Sequence, residues 1–157
     1  MTGKPVSSEE VHRGIEHIHP RPRQVIDHGL DWKLWVLCDR EPITNWIDGR
    51  VSLLGDADHP MLQYFAQGAC MAMEDSVNLS NRVGTCNNLD SAFAKYLEDR
   101  MVRTTRVVID SILIGDHIYH PSGAQAALRN SFMQAITPEE WFERLAWLYE
   151  GGKPLEN

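Results

Sequence analysis

The segment VSLL at residues 51–54 constrains the fold of this chain more than any other feature. It lies between two turn sequences, Asp48-Gly49 and Gly55-Asp56, and such an apolar run is typical of a strand buried on both faces of a sheet. A strand of this kind needs a neighbour on each side. Because we find only two or three candidate strands, we expect a mostly helical α/β chain that cannot complete a sheet by itself.

Helix-start signals predict five helices. Ser7 and Glu10 form a capping-box pattern, and Thr137 with Glu140 repeats it after the last loop. The predicted helices run from the Ser7 cap to about His17, from Gly68 to about Arg82, from Leu89 to about Ile114, from the Ser122 cap, and from the Thr137 cap to Gly151-Gly152. Residues 30–39 (LDWKLWVLCD) predict another strand, and residues 40–50 a loop and turn.

Net charge, apolar stretches and cysteine pattern limit what this chain can bind and where it can function. The net charge of −7 argues against nucleic acid, which selects a basic face. No apolar stretch is long enough for a membrane span or has the pattern of a signal peptide. The cysteines (Cys38, Cys70 and Cys86) form no CxxC motif, and we expect them to be reduced in a cytoplasmic protein.

The turn that follows residues 51–54 has the chemistry of a binding site. Gly55 permits a close backbone approach, and Asp56 offers carboxylate oxygens suited to paired hydroxyls. The helix that begins at Gly68 offers unpaired N–H groups at its positive end. A purely structural alternative has Asp56 capping the turn and His59 lying at the surface.

A metal site at this turn is not predicted. Asp56, Asp58 and His59 are the candidate ligands, but adjacent positions rarely point at one ion, and the sequence has no second cluster to complete the set.

The longer stretch around this turn, GRVSLLGDADHPMLQYFAQGACMAMEDSVNLS (residues 49–80), resembles a known motif. It is similar to the second flavin-binding motif of the FAD-dependent aromatic hydroxylases, the group A flavoprotein monooxygenases. The resemblance implies the C-terminal part of an FAD-binding, p-hydroxybenzoate hydroxylase-like fold. DREPITNWIDGR and HPMLQYFAQGA look most like the 3-hydroxybenzoate 6-hydroxylase branch, which makes gentisate. Salicylate 1-hydroxylases and 6-hydroxynicotinate hydroxylases remain near alternatives.

The resemblance implies cofactor contacts for five residues. Asp56 would accept hydrogen bonds from the ribityl chain of FAD, while Gly55 allows the chain to pass closely. Gly68 and Ala69 would direct N–H groups at the N1 and C2 carbonyl edge of the flavin. Pro60 would place its carbonyl near the reacting centre, on the substrate side.

Gln63 is the implied substrate contact, and with Pro60 it forms the candidate catalytic set. Its side chain would hydrogen-bond the polar substituent of the ring; the alternative is an exposed loop glutamine. The resemblance further implies NADH or NADPH as co-substrate, a small aromatic acid as substrate, and a homo-oligomer for the complete enzyme.

Other family features are missing from these residues. The chain has no Gly-x-Gly-x-x-Gly motif to hold the pyrophosphate. We expect residues 1–40 to be the tail of a substrate domain, residues 41–83 the second FAD-binding region and residues 84–157 the C-terminal helices. The chain is then either part of a hydroxylase or a non-catalytic remnant that serves as an interaction module.

Several further residues receive structural roles. The spacing of Arg100, Arg103 and Arg106 predicts a solvated helix face with local ion pairs. Glu74 and Asp75 are predicted to anchor the helix on which they lie. We assign Arg40 to structure rather than to the flavin pyrophosphate, Trp46 and Tyr64 to packing, and His117 and His120 to the exposed end of a helix.

Overall fold

The computed structural model describes residues 3–150. The chain divides into two compact units, Met1–Leu37 and Cys38–Asn157. In the first unit, helix α1 (Ser8–Gly14) begins with the predicted capping box of Ser7 and Glu10. Helix α2 (Pro20–Ile26) follows, and strand β1 (Lys4–Pro5) pairs antiparallel with strand β2 (Lys33–Leu34).

Two predictions for the first unit are wrong. The first helix ends at Gly14 rather than near His17, and Pro20, expected only as a stop, opens α2 because proline suits the first helical position. The strand predicted over residues 30–39 is reduced to Lys33–Leu34. Within residues 3–150, β2 pairs only with the two-residue strand β1. Trp35 and Val36, which follow β2, are therefore exposed.

In the second unit, strands β3 (Ile47–Asp48) and β4 (Val51–Ser52) form an antiparallel hairpin. The prediction of a four-residue strand buried on both faces is therefore wrong. Within the described residues β4 pairs with β3 alone, and Val51 is 62% exposed. Residues 40–50, predicted as loop, contribute β3 to this hairpin.

The remaining elements are helical. The helices are α3 (Gly68–Thr85), α4 (Leu89–Ile114), α5 (Gly123–Ala135) and α6 (Pro138–Tyr149). The predicted bounds of α4 are confirmed, and Thr137 and Glu140 form the predicted capping box of α6. Ser122 precedes α5, but its side chain makes no capping bond. The predicted end of the last helix at Gly151-Gly152 lies outside the described residues.

Three short turns lie between these elements, two of them between the hairpin and α3 and the third between α4 and α5. Two are 3₁₀ turns, Gly55–Ala57 and Gln63–Phe65, and one is a π turn, Gly115–Tyr119, at the end of α4. Helices α3 and α4 pack together around Met71 and Val107, and Leu148 of α6 completes the core. No helix within residues 3–150 is both long and apolar enough to cross a membrane.

Apolar side chains also remain on the outer surfaces of this unit. Met73 and Val77 of α3 and Val102 of α4 are each more than half exposed. The hairpin adds Val51 to this exposed set. The core of the second unit therefore uses only part of the apolar surface that its helices carry.

Candidate functional site

The turn that follows β4 reverses the chain against α3. The backbone N–H groups of Asp58 and His59 both donate to the carbonyl oxygen of Gly55 at 2.9 Å. Gly55 is buried with φ +60°, and a Cβ there would lie 3.0 Å from the Cβ of Ala72. Glycine is therefore required both by the left-handed backbone and by the close approach to Ala72 of α3. We call residues 55–59 the Gly55–His59 turn.

The inner face of this turn rests on a fully buried carboxylate. Asp75 of α3 accepts hydrogen bonds from the Gly55 N–H at 3.2 Å, from His59 Nε2 at 2.6 Å and from Arg100 Nε at 2.7 Å. Burial disfavours its charge, but the hydrogen bonds from His59 and Arg100 outweigh burial and lower the pKa of Asp75. The structural alternative that placed His59 at the surface is wrong, since His59 is buried.

Two arginines of the α4 stripe, Arg100 and Arg103, also hold α3 beneath the turn. Arg100 Nη1 and Arg103 Nε each bind Glu74 Oε2 at 2.7 Å, and Arg103 also binds the carbonyl oxygens of Trp147 and Leu148. The prediction of a solvated face is therefore wrong: Arg100 is buried, because its partners come from α3 rather than from its own helix. Glu74 and Asp75 anchor α3 as expected.

Arg106, the last member of the stripe, partly fits the prediction of an exposed face with local ion pairs. The Arg106 guanidinium lies 3.6 Å from the ring centroid of Trp147, with its side chain about half exposed and its local ion pair to Asp110 at 3.4 Å. The stripe thus changes from buried to exposed along α4.

Asp58 is a second buried acid in the turn, and sequence analysis considered it only as a metal ligand. Its side chain is 2% exposed, and neither carboxylate oxygen has a hydrogen-bond partner among the described residues. Burial is the main reason that the pKa of Asp58 rises to about 6, and the nearby charge of Asp75 adds to the rise. His59 and Arg40 oppose it. Arg40 binds the backbone carbonyls of Ala57 and Asp58, which is the structural role expected of it.

The outer face of the turn has the opposite character. Asp56 and Ala57 are exposed, and within residues 3–150 the Asp56 carboxylate receives no hydrogen bond. Asp56 Oδ1 lies 3.9 Å from the position that a Cβ on Gly68 would occupy. The structure therefore brings the carboxylate to the N-terminus of α3.

The N-terminus of α3 is not capped by a side chain. Gln67 occupies the N-cap position without a capping bond, whereas Ser7, Asn88 and Thr137 cap α1, α4 and α6. The first amide groups of an uncapped helix are free to bind an anionic or electron-rich group. Gly68 is half-buried and Ala69 is exposed at this end.

The two candidate catalytic residues follow the turn. Pro60 is partly buried directly after His59, and Gln63 is exposed at the start of the Gln63–Phe65 turn. Tyr64 packs on Tyr119 with ring centroids 5.1 Å apart. The buried Trp46 packs on Tyr96 at 6.0 Å, so both aromatic residues have the packing roles assigned to them.

The two histidines expected at a helix end occupy the segment after α4. His117 and His120 are both exposed, but His120 Nε2 also lies 2.5 Å from the Tyr64 hydroxyl, a contact that the sequence did not predict. Among residues 3–150, no group of three or more His, Cys, Asp or Glu side chains is placed to hold a metal ion.

Comparison with known proteins decides the family. A family model described as an FAD binding domain matches residues 2–111. The chain belongs to this family. The predicted FAD-binding α/β fold, mostly helical in this chain with a few strands, is confirmed, and so is the resemblance to the FAD-dependent hydroxylases.

Two curated relatives that match nearly the whole chain are named 3-hydroxybenzoate 6-hydroxylase. The chain is 48% identical over 147 residues to 3-hydroxybenzoate 6-hydroxylase 1 of Aquipseudomonas alcaligenes, covering 94% of the chain and 37% of that protein. It is 46% identical over 144 residues to 3-hydroxybenzoate 6-hydroxylase of Polaromonas naphthalenivorans (strain CJ2), covering 91% of the chain and 36% of that protein. The chain therefore spans just over a third of the length of these curated relatives.

The fold also matches a solved structure. The crystal structure of Klebsiella pneumoniae HpxO complexed with FAD and uric acid gives a TM-score of 0.78 at 21% identity, over 99% of this chain and 41% of that chain. At this identity the similarity shows the fold alone.

The outer face of the Gly55–His59 turn fits FAD, the cofactor of this family. The Asp56 carboxylate has unused acceptor oxygens, which suit the hydroxyls of a ribityl chain. The uncapped N-terminus of α3 has unused donors, which suit the electron-rich edge of a flavin ring. Among the residues assigned to the cofactor, Asp56 has an unpartnered side chain and Gly68 and Ala69 lie at an uncapped helix end, whereas the polar backbone groups of Gly55 are used within the turn.

Proposed function

We propose that this chain is part of an FAD-dependent aromatic-ring monooxygenase that converts 3-hydroxybenzoate to gentisate with NADH or NADPH and O₂. The observation that carries the proposal is the Asp56 carboxylate lying beside the uncapped N-terminus of α3, 3.9 Å from the position of a Cβ on Gly68. Relatives matched over more than nine-tenths of the chain are named 3-hydroxybenzoate 6-hydroxylase, which favours this substrate over salicylate or 6-hydroxynicotinate.

The chain would contribute one side of the flavin site. Bound FAD would supply the redox chemistry, accepting hydride from NAD(P)H and delivering one oxygen atom of O₂ to the ring. Asp56 accepts hydrogen bonds from the ribityl hydroxyls, and Gly55 lets the cofactor chain approach the backbone. The amides of Gly68 and Ala69 donate to the N1 and C2 carbonyl edge, where they stabilise negative charge on the reduced ring.

The substrate lies on the other side of the turn in this proposal. The Pro60 carbonyl faces the reacting centre, and Gln63 donates or accepts a hydrogen bond at the polar ring substituent. The exposure of Gln63 supports this role, since its side chain is not used within the described chain.

The remaining parts of the proposal concern the complete enzyme. Residues 1–40 form the tail of its substrate domain, residues 41–83 its second FAD-binding region and residues 84–157 its C-terminal helices. The enzyme is cytoplasmic, as the cysteine pattern suggests, and homo-oligomeric, as the resemblance implies, and its pyrophosphate-binding part lies outside this chain.

The proposal is tested with a chimeric hydroxylase, in which this chain replaces the matching segment of the Aquipseudomonas alcaligenes relative. We expect FAD binding and formation of gentisate from 3-hydroxybenzoate. Asp56→Ala removes charged hydrogen bonds and should weaken FAD binding about 10- to 100-fold, since each such bond contributes about 1.5–3 kcal/mol. The matched control is Asp48→Ala, an exposed acid in the hairpin. A chimera that binds FAD but forms no gentisate contradicts the proposed substrate.

A further inference from the structure

The segment that presents Gln63 is too short to fix its own conformation. The Gln63–Phe65 turn is closed by one backbone hydrogen bond, from the Ala66 N–H to the Gln63 carbonyl at 2.8 Å. Ala66 then takes a left-handed conformation with φ +54°, which costs free energy for a residue with a Cβ. A turn with this strain persists only where surrounding contacts hold it.

Those contacts come from the end of α4. Ser111 Oγ donates to the Leu62 carbonyl at 2.5 Å, just before Gln63. After Gln63, the Tyr64 hydroxyl lies 2.5 Å from His120 Nε2, and the Tyr64 ring stacks on Tyr119. The residues on both sides of Gln63 are therefore fixed, and Gln63 itself is the exposed side chain of its turn.

The π turn that ends α4 makes these contacts possible. His120 N–H donates to the Gly115 carbonyl at 2.9 Å, which is the five-residue spacing of a π turn. One additional residue in a turn rotates the following side chains by about 100° relative to a regular α-helix. The π turn thus sets the direction of Tyr119 and His120. Arg129 of α5 stabilises it further by donating to the Ile118 carbonyl at 2.6 Å.

Gly115 provides the space for Tyr64. Its backbone is helical, so any residue could adopt its conformation, but a Cβ there would overlap Tyr64 Cε2. The glycine is required by the tyrosine ring rather than by its own backbone. We call Tyr64, Gly115, Tyr119 and His120 the Tyr64 cluster.

We propose that the Tyr64 cluster is a positioning device that fixes the direction of Gln63 and so determines which ring substituent of the aromatic acid is accepted. This inference rests on the proposed function. The hydrogen bond between Tyr64 and His120 can form with either partner as donor. Tyr64 acts through Gln63 and does not itself contact the substrate.

The first test measures the turn without reference to catalysis. Tyr64→Phe and Gly115→Ala should each speed hydrogen exchange of the Ala66 amide in the purified chain by about 3- to 10-fold, the effect of losing one hydrogen bond. The matched controls are Tyr149→Phe, an exposed tyrosine of α6, and Gly84→Ala, a helical glycine of α3 whose added Cβ would meet nothing within 4 Å. Unchanged exchange at Ala66 would overturn the proposal.

The second test separates positioning from general structural damage, in the chimeric hydroxylase. Tyr64→Phe should raise the KM for 3-hydroxybenzoate about 3- to 10-fold while kcat and FAD affinity stay close to wild type. In a Gln63→Ala background the same change should have no further effect on KM, because the two residues act as one unit. An equal effect in both backgrounds would show that Tyr64 acts independently of Gln63 and would overturn the proposal. An inactive wild-type chimera would contradict the proposed function and the substrate role together, while the exchange result would still decide whether the cluster holds the turn.

Discussion

Two carboxylates on opposite faces of the Gly55–His59 turn show how this site is divided. Asp75, below the inner face, is fully buried and accepts three hydrogen bonds, from a backbone amide, a histidine and an arginine. Asp56, on the outer face, is exposed and receives none within the described chain. The inner face therefore uses its polar groups to fix the turn, whereas the outer face keeps its polar groups available for a ligand. Pre-organisation of this kind reduces the conformational cost of binding.

The largest effect is expected from Arg100→Met, which removes the buried cation of the inner face. Asp75 would lose its buried cationic partner, and loss of one partner of a buried ion pair costs about 3–5 kcal/mol of unfolding free energy. Urea denaturation monitored by circular dichroism measures this loss. Arg13→Met is the control, because the ion pair of Arg13 with Glu9 is exposed and contributes little. A loss below about 1 kcal/mol would mean that the inner face does not hold the turn.

Asp58→Asn should stabilise the protein, in a pH-dependent way. The pKa of Asp58 is raised to about 6 in the folded state, above its ordinary value near 3.8, so the folded state binds the proton more tightly. Stability contributed by this group is present at low pH and is lost as the pH rises from about 4 to 6. The amide removes that loss, and we expect a gain of about 3 kcal/mol at pH 7.5 and less than about 1 kcal/mol at pH 4.

Urea denaturation at the two pH values checks this prediction, with Asp48→Asn as the exposed control. An equal effect of Asp58→Asn at both pH values would show that charge burial at Asp58 is not the cause.

Gly55→Ala tests the residue that connects the inner and outer faces of the Gly55–His59 turn. The substitution forces φ +60° on a residue with a Cβ and brings that Cβ to 3.0 Å from Ala72. We expect a loss of about 1–2 kcal/mol in unfolding free energy, accompanied by weaker FAD binding. Gly49→Ala is a useful control, because it has a similar φ of +54° but open space around the added Cβ. If both variants lose the same stability, backbone strain alone explains the effect and the contact with α3 contributes nothing.

The smallest effect on stability is expected from Asp56→Ala, although it should have a large effect on FAD binding. An exposed side chain without partners changes the unfolding free energy by about 0.5 kcal/mol or less. Thermal unfolding of the chimeric hydroxylase without and with FAD measures both quantities on one sample, since a bound cofactor raises the melting temperature. A clear loss of stability without FAD would mean that Asp56 supports the turn structurally.

The sequence predicted the local features of this molecule well. The capping pairs Ser7–Glu10 and Thr137–Glu140 marked helix starts, because a cap depends only on neighbouring residues. The turn at Gly55 and the start of α3 at Gly68 were also predicted, because the motif contains both, whereas the cofactor roles of these residues stay a prediction. These are the features in which the determining residues lie close together along the chain.

Predictions failed where the deciding partner is distant in the chain. The inner face depends on Arg100, which lies 25 residues from Asp75 on another helix, and helical spacing alone suggested a solvated stripe. Residues 30–39 and 51–54 have strand-like composition, but a strand also requires neighbours, and each pairs with only one two-residue strand in the described chain. The contact of Tyr64 with His120, 56 residues apart, depends on a π turn for which the sequence has no known signal.

The exposed apolar side chains of the second unit have a consequence for its thermodynamics. Val51, Met73, Val77 and Val102 are already hydrated in the folded state, so unfolding adds little apolar surface at these positions. The heat capacity of unfolding grows with newly exposed apolar area, and typical domains reach about 12–15 cal/mol/K per residue. We expect a lower value for this chain, and therefore a flatter curve of stability against temperature, with a broad calorimetric transition. Covering these side chains with the rest of a longer protein would make the curve steeper without changing a residue of the flavin site.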